Sequence, residues 1–67
     1  MLKIWVNGEP RALEAPLTIA ELLTHLGVSG ERVAVERNLE VVRRAARAEV
    51  RVADGDHIEI VSFVGGG

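Results

Sequence analysis

The 67-residue chain is expected to fold as one α+β domain, a mixed sheet of about five strands packed on one main helix. Three observations predict this. Apolar residues alternate with polar ones at both ends of the chain, the period of a half-buried strand. Between them lies a single segment with helical spacing and a stop or start signal at each of its ends. Turn dipeptides punctuate the rest.

Leu2, Ile4 and Val6 alternate with Lys3, Trp5 and Asn7, so the first strand starts almost at the first residue. Asn7-Gly8 suits the positive φ angles of a type I′ turn and leads into a second strand over Glu9 to Leu13. Pro10 places that strand at a sheet edge, because it offers no backbone donor to a neighbour. Ile19, Leu22, Leu23 and Leu26 then form one apolar stripe of a short helix. Thr18 with Glu21 makes a capping box at its start, and Gly27 followed by Val28 suits the left-handed stop at its end. Val33 and Val35 mark a third strand that turns at Asn38 and returns briefly through Val41 and Val42. Alanine and arginine favour a helical turn over Arg43 to Glu49. Val50 and Val52 predict an extended piece, and Asp54-Gly55-Asp56 turns the chain into a last strand carrying Ile58 and Ile60. The first and last strands, free of proline and rich in alternating aliphatics, belong side by side at the centre. The result is the β-grasp, or ubiquitin-like, arrangement, with residues 1–64 forming the domain and 65–67 a flexible glycine tail.

Size and composition restrict function. A chain this short leaves little apolar surface to spare for an enclosed active site, which points to a binding or carrier module rather than an enzyme. A formal net charge of −2 provides no cationic field for nucleic acid. No apolar run approaches the ~20 residues needed to span a bilayer, and no signal-peptide pattern opens the chain, so a cytoplasmic protein is expected. Zero cysteines remove disulfides, thiolate metal sites and thiol nucleophiles.

His25 and His57 have no second histidine or cysteine at metal-ligand spacing and read as solvated surface residues; no metal site is expected. Asp54 and Asp56 are explained by their turn. Ser29, Ser62 and Thr24 have no adjacent base, and Thr18 is committed to its cap. Arg43, Arg44 and Arg47 form a local basic cluster, read as a solvated face balanced by Glu40 and Glu49, with docking of an acidic partner as the sharper alternative. Trp5 and Phe63 fall out of phase with the buried aliphatics of their strands, which puts them on the sheet face away from the helix. Together with Val64 they are a candidate partner-docking patch, since interfaces favour aromatic anchors; covering the sheet's second side is the alternative. Gly65-Gly66-Gly67 is the one feature that stability does not explain, because glycine loses the most entropy on ordering and packs nothing. A side-chain-free tail suits threading a narrow channel to present a terminal carboxylate; a frayed end is the alternative.

Over nearly its whole length the chain resembles the ThiS-type sulfur carriers of thiamine biosynthesis, in the β-grasp superfamily. The resemblance rests on Val6-Asn7-Gly8-Glu9-Pro10-Arg11, Thr18-Ile19-Ala20-Glu21-Leu22-Leu23, Arg32-Val33-Ala34-Val35-Glu36-Arg37-Asn38, and Asp54-Gly55-Asp56 through Ile58-Glu59-Ile60-Val61 to the glycine end. It departs at Arg37-Asn38-Leu39, where the family often has Asn-Gly or Asn-Gln, and at Arg44-Ala45-Ala46-Arg47. What it implies is a carrier cycle. A ThiF-type enzyme uses MgATP to adenylate the Gly67 carboxylate, a sulfur donor such as a cysteine desulfurase supplies the sulfur of a thiocarboxylate there, and a ThiG-type thiazole synthase consumes it. Gly65 and Gly66 then enter the partners' active sites, and the carrier itself binds no cofactor. MoaD-like or tRNA-thiolation carriers and ubiquitin-like protein modifiers share the glycine end and are the rival readings.

Overall fold

The first hairpin shows how local chemistry sets this fold. In the computed structural model, which describes residues 1–63, β1 (Leu2–Val6) pairs antiparallel with β2 (Glu9–Leu13). Asn7 and Gly8 between them take φ of 51° and 83°, the pair of left-handed conformations that a type I′ turn demands. The helix α1 (Ile19–His25) follows, then β3 (Val33–Arg37), β4 (Glu40–Val42) and β5 (His57–Ser62), with 3₁₀ turns at Gly30–Arg32 and Arg44–Ala46. The sheet order is β2-β1-β5-β3-β4. The first and last strands therefore do lie side by side, in parallel, and proline-bearing β2 does sit at an edge. This is the β-grasp topology. The domain boundary at Val64 and the tail Gly65, Gly66 and Gly67 lie outside the described residues.

Both helix ends form as their residues dictate. The Thr18 hydroxyl accepts from the Glu21 N–H at 3.1 Å, and the Glu21 carboxylate accepts from the Thr18 N–H at 2.9 Å. At the far end Gly27, at φ 73°, lets the Val28 N–H reach the Leu23 carbonyl and its own N–H reach that of Thr24, the paired bonds of a Schellman stop. Ile19 and Leu22 are fully buried and pack with Ile4, Val35, Val52 and Ile58 in a core between helix and sheet. The segment Val50 to Val52, expected to be extended, joins no strand but forms an isolated antiparallel bridge from Arg51 to Thr18. The Val50 carbonyl accepts from Ile19 and the Val52 N–H donates to Leu17, so the segment fastens the entry of the helix.

The second hairpin turn is less comfortable. Asn38 and Leu39 occupy φ of 52° and 72°, and Leu39 is 85% exposed. A branched side chain in the left-handed region is strained by roughly 1–2 kcal/mol, and here no burial offsets it. Leu39→Gly is expected to raise unfolding stability by about 0.5 kcal/mol, the relieved strain less the extra freedom of glycine in the unfolded chain. Urea denaturation at neutral pH measures it.

Candidate functional site

The tail follows β5, so the surroundings of that strand's outgoing end define the site. On one side β5 pairs antiparallel with β3, and the pairing extends past the strand through the Phe63 N–H, which donates to the Arg32 carbonyl at 2.8 Å. On the other side β1 gives out at Val6 as the chain turns. There Asn7 takes over with its side chain: Oδ1 accepts from the Ile60 N–H at 2.8 Å and Nδ2 donates to the Ile60 carbonyl at 3.2 Å. One amide side chain thus stands where the next peptide unit of β1 would have been. Asn7 is read from sequence only as a turn residue; its grip on β5 is a second role.

The segment that holds Phe63 is itself braced by a buried cation. Arg47 donates from Nη1 to the Gly30 carbonyl at 2.8 Å and from Nη2 to the Val33 carbonyl at 2.7 Å, on either side of Arg32. It is 7% exposed, and its Nε finds no partner among the described residues. Arg44 joins it, bonding the Glu31 carbonyl. The expected solvated face at Arg43, Arg44 and Arg47 therefore needs correcting at Arg47. A planar guanidinium reaches two carbonyls of one turn at once, with one donor from each terminal nitrogen. Arg43 and Arg44 remain exposed.

At the strand's incoming end Asp56 is a buried carboxylate rather than a plain turn residue. It accepts from Arg37 Nε at 2.7 Å, the Ala53 N–H at 2.8 Å and Asn38 Nδ2 at 3.0 Å. Burial pushes its pKa up, and the bonds from Arg37, Ala53 and Asn38 together outweigh burial, leaving it below the ordinary aspartate value. Glu21 is lowered too, chiefly by the Thr18 N–H. A carboxylate with a depressed folded pKa contributes stability that is complete above its unfolded value, near ~4, and is lost as pH falls through the folded one. Unfolding free energy is expected to be flat from neutral pH to about pH 5 and to fall below about pH 4. Asp56→Asn, less stable at neutral pH, is expected to show a shallower acid slope in the same denaturation series.

The aromatic candidates separate. Trp5 lies opposite His57 in the β1–β5 register, its ring stacked on the imidazole at 4.8 Å between centroids, with the Lys3 ammonium 5.2 Å from its ring centre. Phe63, 59% exposed, is six residues further along, about 20 Å at strand rise. The two do not form one patch. Phe63 instead keeps company with exposed Val61, two residues before it at the tail end of β5. His57 is exposed but stacked, and His25 is exposed on the helix. Among the described residues no group of three His, Cys, Asp or Glu gathers as a metal site, and no helix is long and apolar enough to cross a membrane. Val64, Gly65, Gly66 and Gly67 lie outside the described residues.

The ThiS family model matches residues 4–67. The chain belongs to the ThiS family. Against the sulfur carrier protein ThiS of Thermus thermophilus it is 39% identical over 64 residues, covering 96% of this chain and 98% of that one. The fold agrees with the crystal structure of the thiamine biosynthesis protein ThiS from Geobacter metallireducens at a TM-score of 0.87 and 40% identity, over 98% of this chain and all of that one. A thiazole synthase of Paramagnetospirillum magneticum is 52% identical over 66 residues. The chain covers 98% of its own length there but spans only a fifth of that relative, and likewise of the thiazole synthase of Magnetococcus marinus.

Proposed function

We infer that this ThiS-family chain is a sulfur carrier for the thiazole half of thiamine, with Gly67 as the residue that carries the sulfur. The observation that supports it is the extent of the family match, which runs through residue 67 and so includes the glycines. The described body suits the role, since β5 delivers the tail from a strand held on both sides, by Asn7 and by Arg32.

In this reading an oxygen of the Gly67 carboxylate attacks the α-phosphorus of ATP on a ThiF-type enzyme, and pyrophosphate leaves. Magnesium and ATP belong to that enzyme. The terminal sulfur of a cysteine persulfide, formed by a cysteine desulfurase, adds to the activated carbonyl carbon and AMP departs; a second thiol then attacks the sulfur bound to the donor cysteine, breaking the acyl disulfide to leave the thiocarboxylate and a disulfide. A ThiG-type thiazole synthase then takes the sulfur. The chain is a co-substrate in these steps rather than their catalyst; its side chains recognise partners. Gly65 and Gly66 allow the approach, and the cytoplasm, which supplies MgATP, suits the cycle. Relatives named thiazole synthase and thiamine biosynthesis protein favour this acceptor over molybdopterin synthesis, tRNA thiolation or protein modification.

The test is reconstitution: purified chain, adenylating enzyme, MgATP, a sulfur source and thiazole synthase with its small substrates. Thiazole formation that depends on the chain supports the proposal; equal formation without it overturns the proposal. Phe63 and Val64 are assigned to partner docking beside the tail; Trp5, stacked on His57 about 20 Å away, lies outside that surface. Phe63→Ala is expected to weaken synthase binding about tenfold, a typical loss for an interface aromatic, while shifting the urea midpoint little. A stability loss with unchanged binding assigns Phe63 to the fold alone.

A further inference from the structure

On the β1 side of β5 the ladder runs out at Ile60, three residues before the described chain ends at Phe63. Ser62 faces Val33 across the β3–β5 pair, and its neighbour Phe63 makes the bond to Arg32, so the alternation of an antiparallel pair turns the Ser62 N–H and C=O away from β3. They point to the side where β1 has already turned off. Asn7 completes the pairing at Ile60 and goes no further. Among the described residues nothing bonds the Ser62 backbone, and the residue is exposed. A groove of about 340 Å³ runs alongside, walled by Val6, Leu26 and Val28 with Glu9 and Arg11 also lining it.

The length of the remaining chain says who comes here. Gly67 is five residues beyond Ser62, at most about 18 Å of chain. An enzyme that acts on the Gly67 carbonyl therefore has its active site within about 18 Å of Ser62, which puts the rim of that site near Ser62 and Phe63. The β3 side of that junction is taken by Arg32; the β1 side is open. We propose that an extended segment of thiazole synthase adds to β5 at Ser62, taking up the line that β1 leaves at Asn7 and filling the groove beside Leu26 and Val28. Main-chain bonds to Ser62 give the contact its register, and alternate side chains of the incoming segment meet Leu26 and Val28 on one side of a groove that Asn7, Glu9 and Arg11 make largely polar. The choice of thiazole synthase rests on the proposed carrier function and on the relatives in which a module like this one is a fifth of a chain of that name.

Amide hydrogen exchange of the ¹⁵N-labelled chain, alone and with saturating thiazole synthase, reads this directly. The Ser62 amide is expected to exchange as an open amide in the free chain and to be protected by at least about 100-fold in the complex. Ser62→Pro removes the donor at a position where no internal bond is lost, and is expected to raise Kd about tenfold, while Ser62→Ala stays within about twofold. A complex that binds normally with Ser62 unprotected, or with Ser62→Pro at the wild-type Kd, overturns the proposal and leaves the carrier function standing. Protection that grows with concentration of the chain alone assigns the edge to a second copy, and protection by the adenylating enzyme but not the synthase assigns it to that enzyme; either overturns the choice of partner. Failure of the synthase to bind at all also overturns it, and thiocarboxylate formation on Gly67 then decides separately whether the carrier function fails too. Should Ser62→Pro not fold, the exchange measurement on the unaltered chain carries the test.

Discussion

Deleting Gly66 and Gly67 is expected to abolish adenylate formation on the chain while leaving the urea midpoint of the folded body where it was. The two effects separate because the proposed carrier function puts the chemistry at the tail, whereas the core is built from residues such as Ile4, Ile19, Leu22, Val35, Val52 and Ile58, all upstream of it. A subtler variant, Gly66→Leu, keeps the length and the carboxylate but adds a side chain beside the reacting carbonyl. Misplacing a reacting atom by an ångström costs on the order of 100-fold, so turnover is expected to fall by at least about that factor. Pyrophosphate release by the adenylating enzyme measures both variants. Normal turnover of Gly66→Leu means that the tail does not pass through a narrow channel, and loss of folding in the deletion means that the tail belongs to the body.

Arg47→Ala is expected to lower unfolding free energy by about 3 kcal/mol, as two buried carbonyls lose a charged donor and the side chain leaves a void. In a domain whose whole stability is on the order of 5 kcal/mol, a measurable unfolded fraction follows at room temperature. Arg47→Lys keeps the charge but lacks the planar fork that reaches the Gly30 and Val33 carbonyls together, and is expected to recover about half of the loss. Arg43→Ala, at an exposed neighbour, serves as the control and is expected to stay within about 0.5 kcal/mol. The variant has a second readout. Because Arg47 braces the turn that accepts from Phe63, exchange of the Phe63 amide is expected to accelerate in Arg47→Lys more than that of Trp5 in β1.

What could be read from the residues was the part whose causes are local. Asn7-Gly8 announces its turn, Thr18 and Glu21 announce the helix start, Pro10 announces an edge, and the parity of Ile4, Val6, Ile58 and Ile60 announces two central strands. Each of those signals acts within a few residues. The roles that escaped notice join distant residues through groups that leave no mark in a sequence. Arg47 is buried because of backbone carbonyls 14 and 17 positions upstream, and any residue type has a carbonyl. Asp56 looks like half of an ordinary Asp-Gly-Asp turn until the β3–β4 turn brings Arg37 and Asn38 onto it. Trp5 and Phe63 share a parity, but parity specifies a face and not a place along the strand. The candidate site divides in the same way. The chemistry proposed for Gly67 rests on the glycine run and the family match, while the mounting of β5, by Asn7 on one side and Arg32 with Arg47 on the other, is visible only in three dimensions.

The most direct measurement is an intact mass spectrum of the chain after incubation with the adenylating enzyme, MgATP and a sulfide source, with fragmentation to locate any change. A gain equal to the difference between one sulfur and one oxygen, confined to the fragment that contains Gly67, is the expected result. An unchanged mass, with the same enzyme shown to be active on another ThiS-family carrier, contradicts the assignment of the sulfur to Gly67.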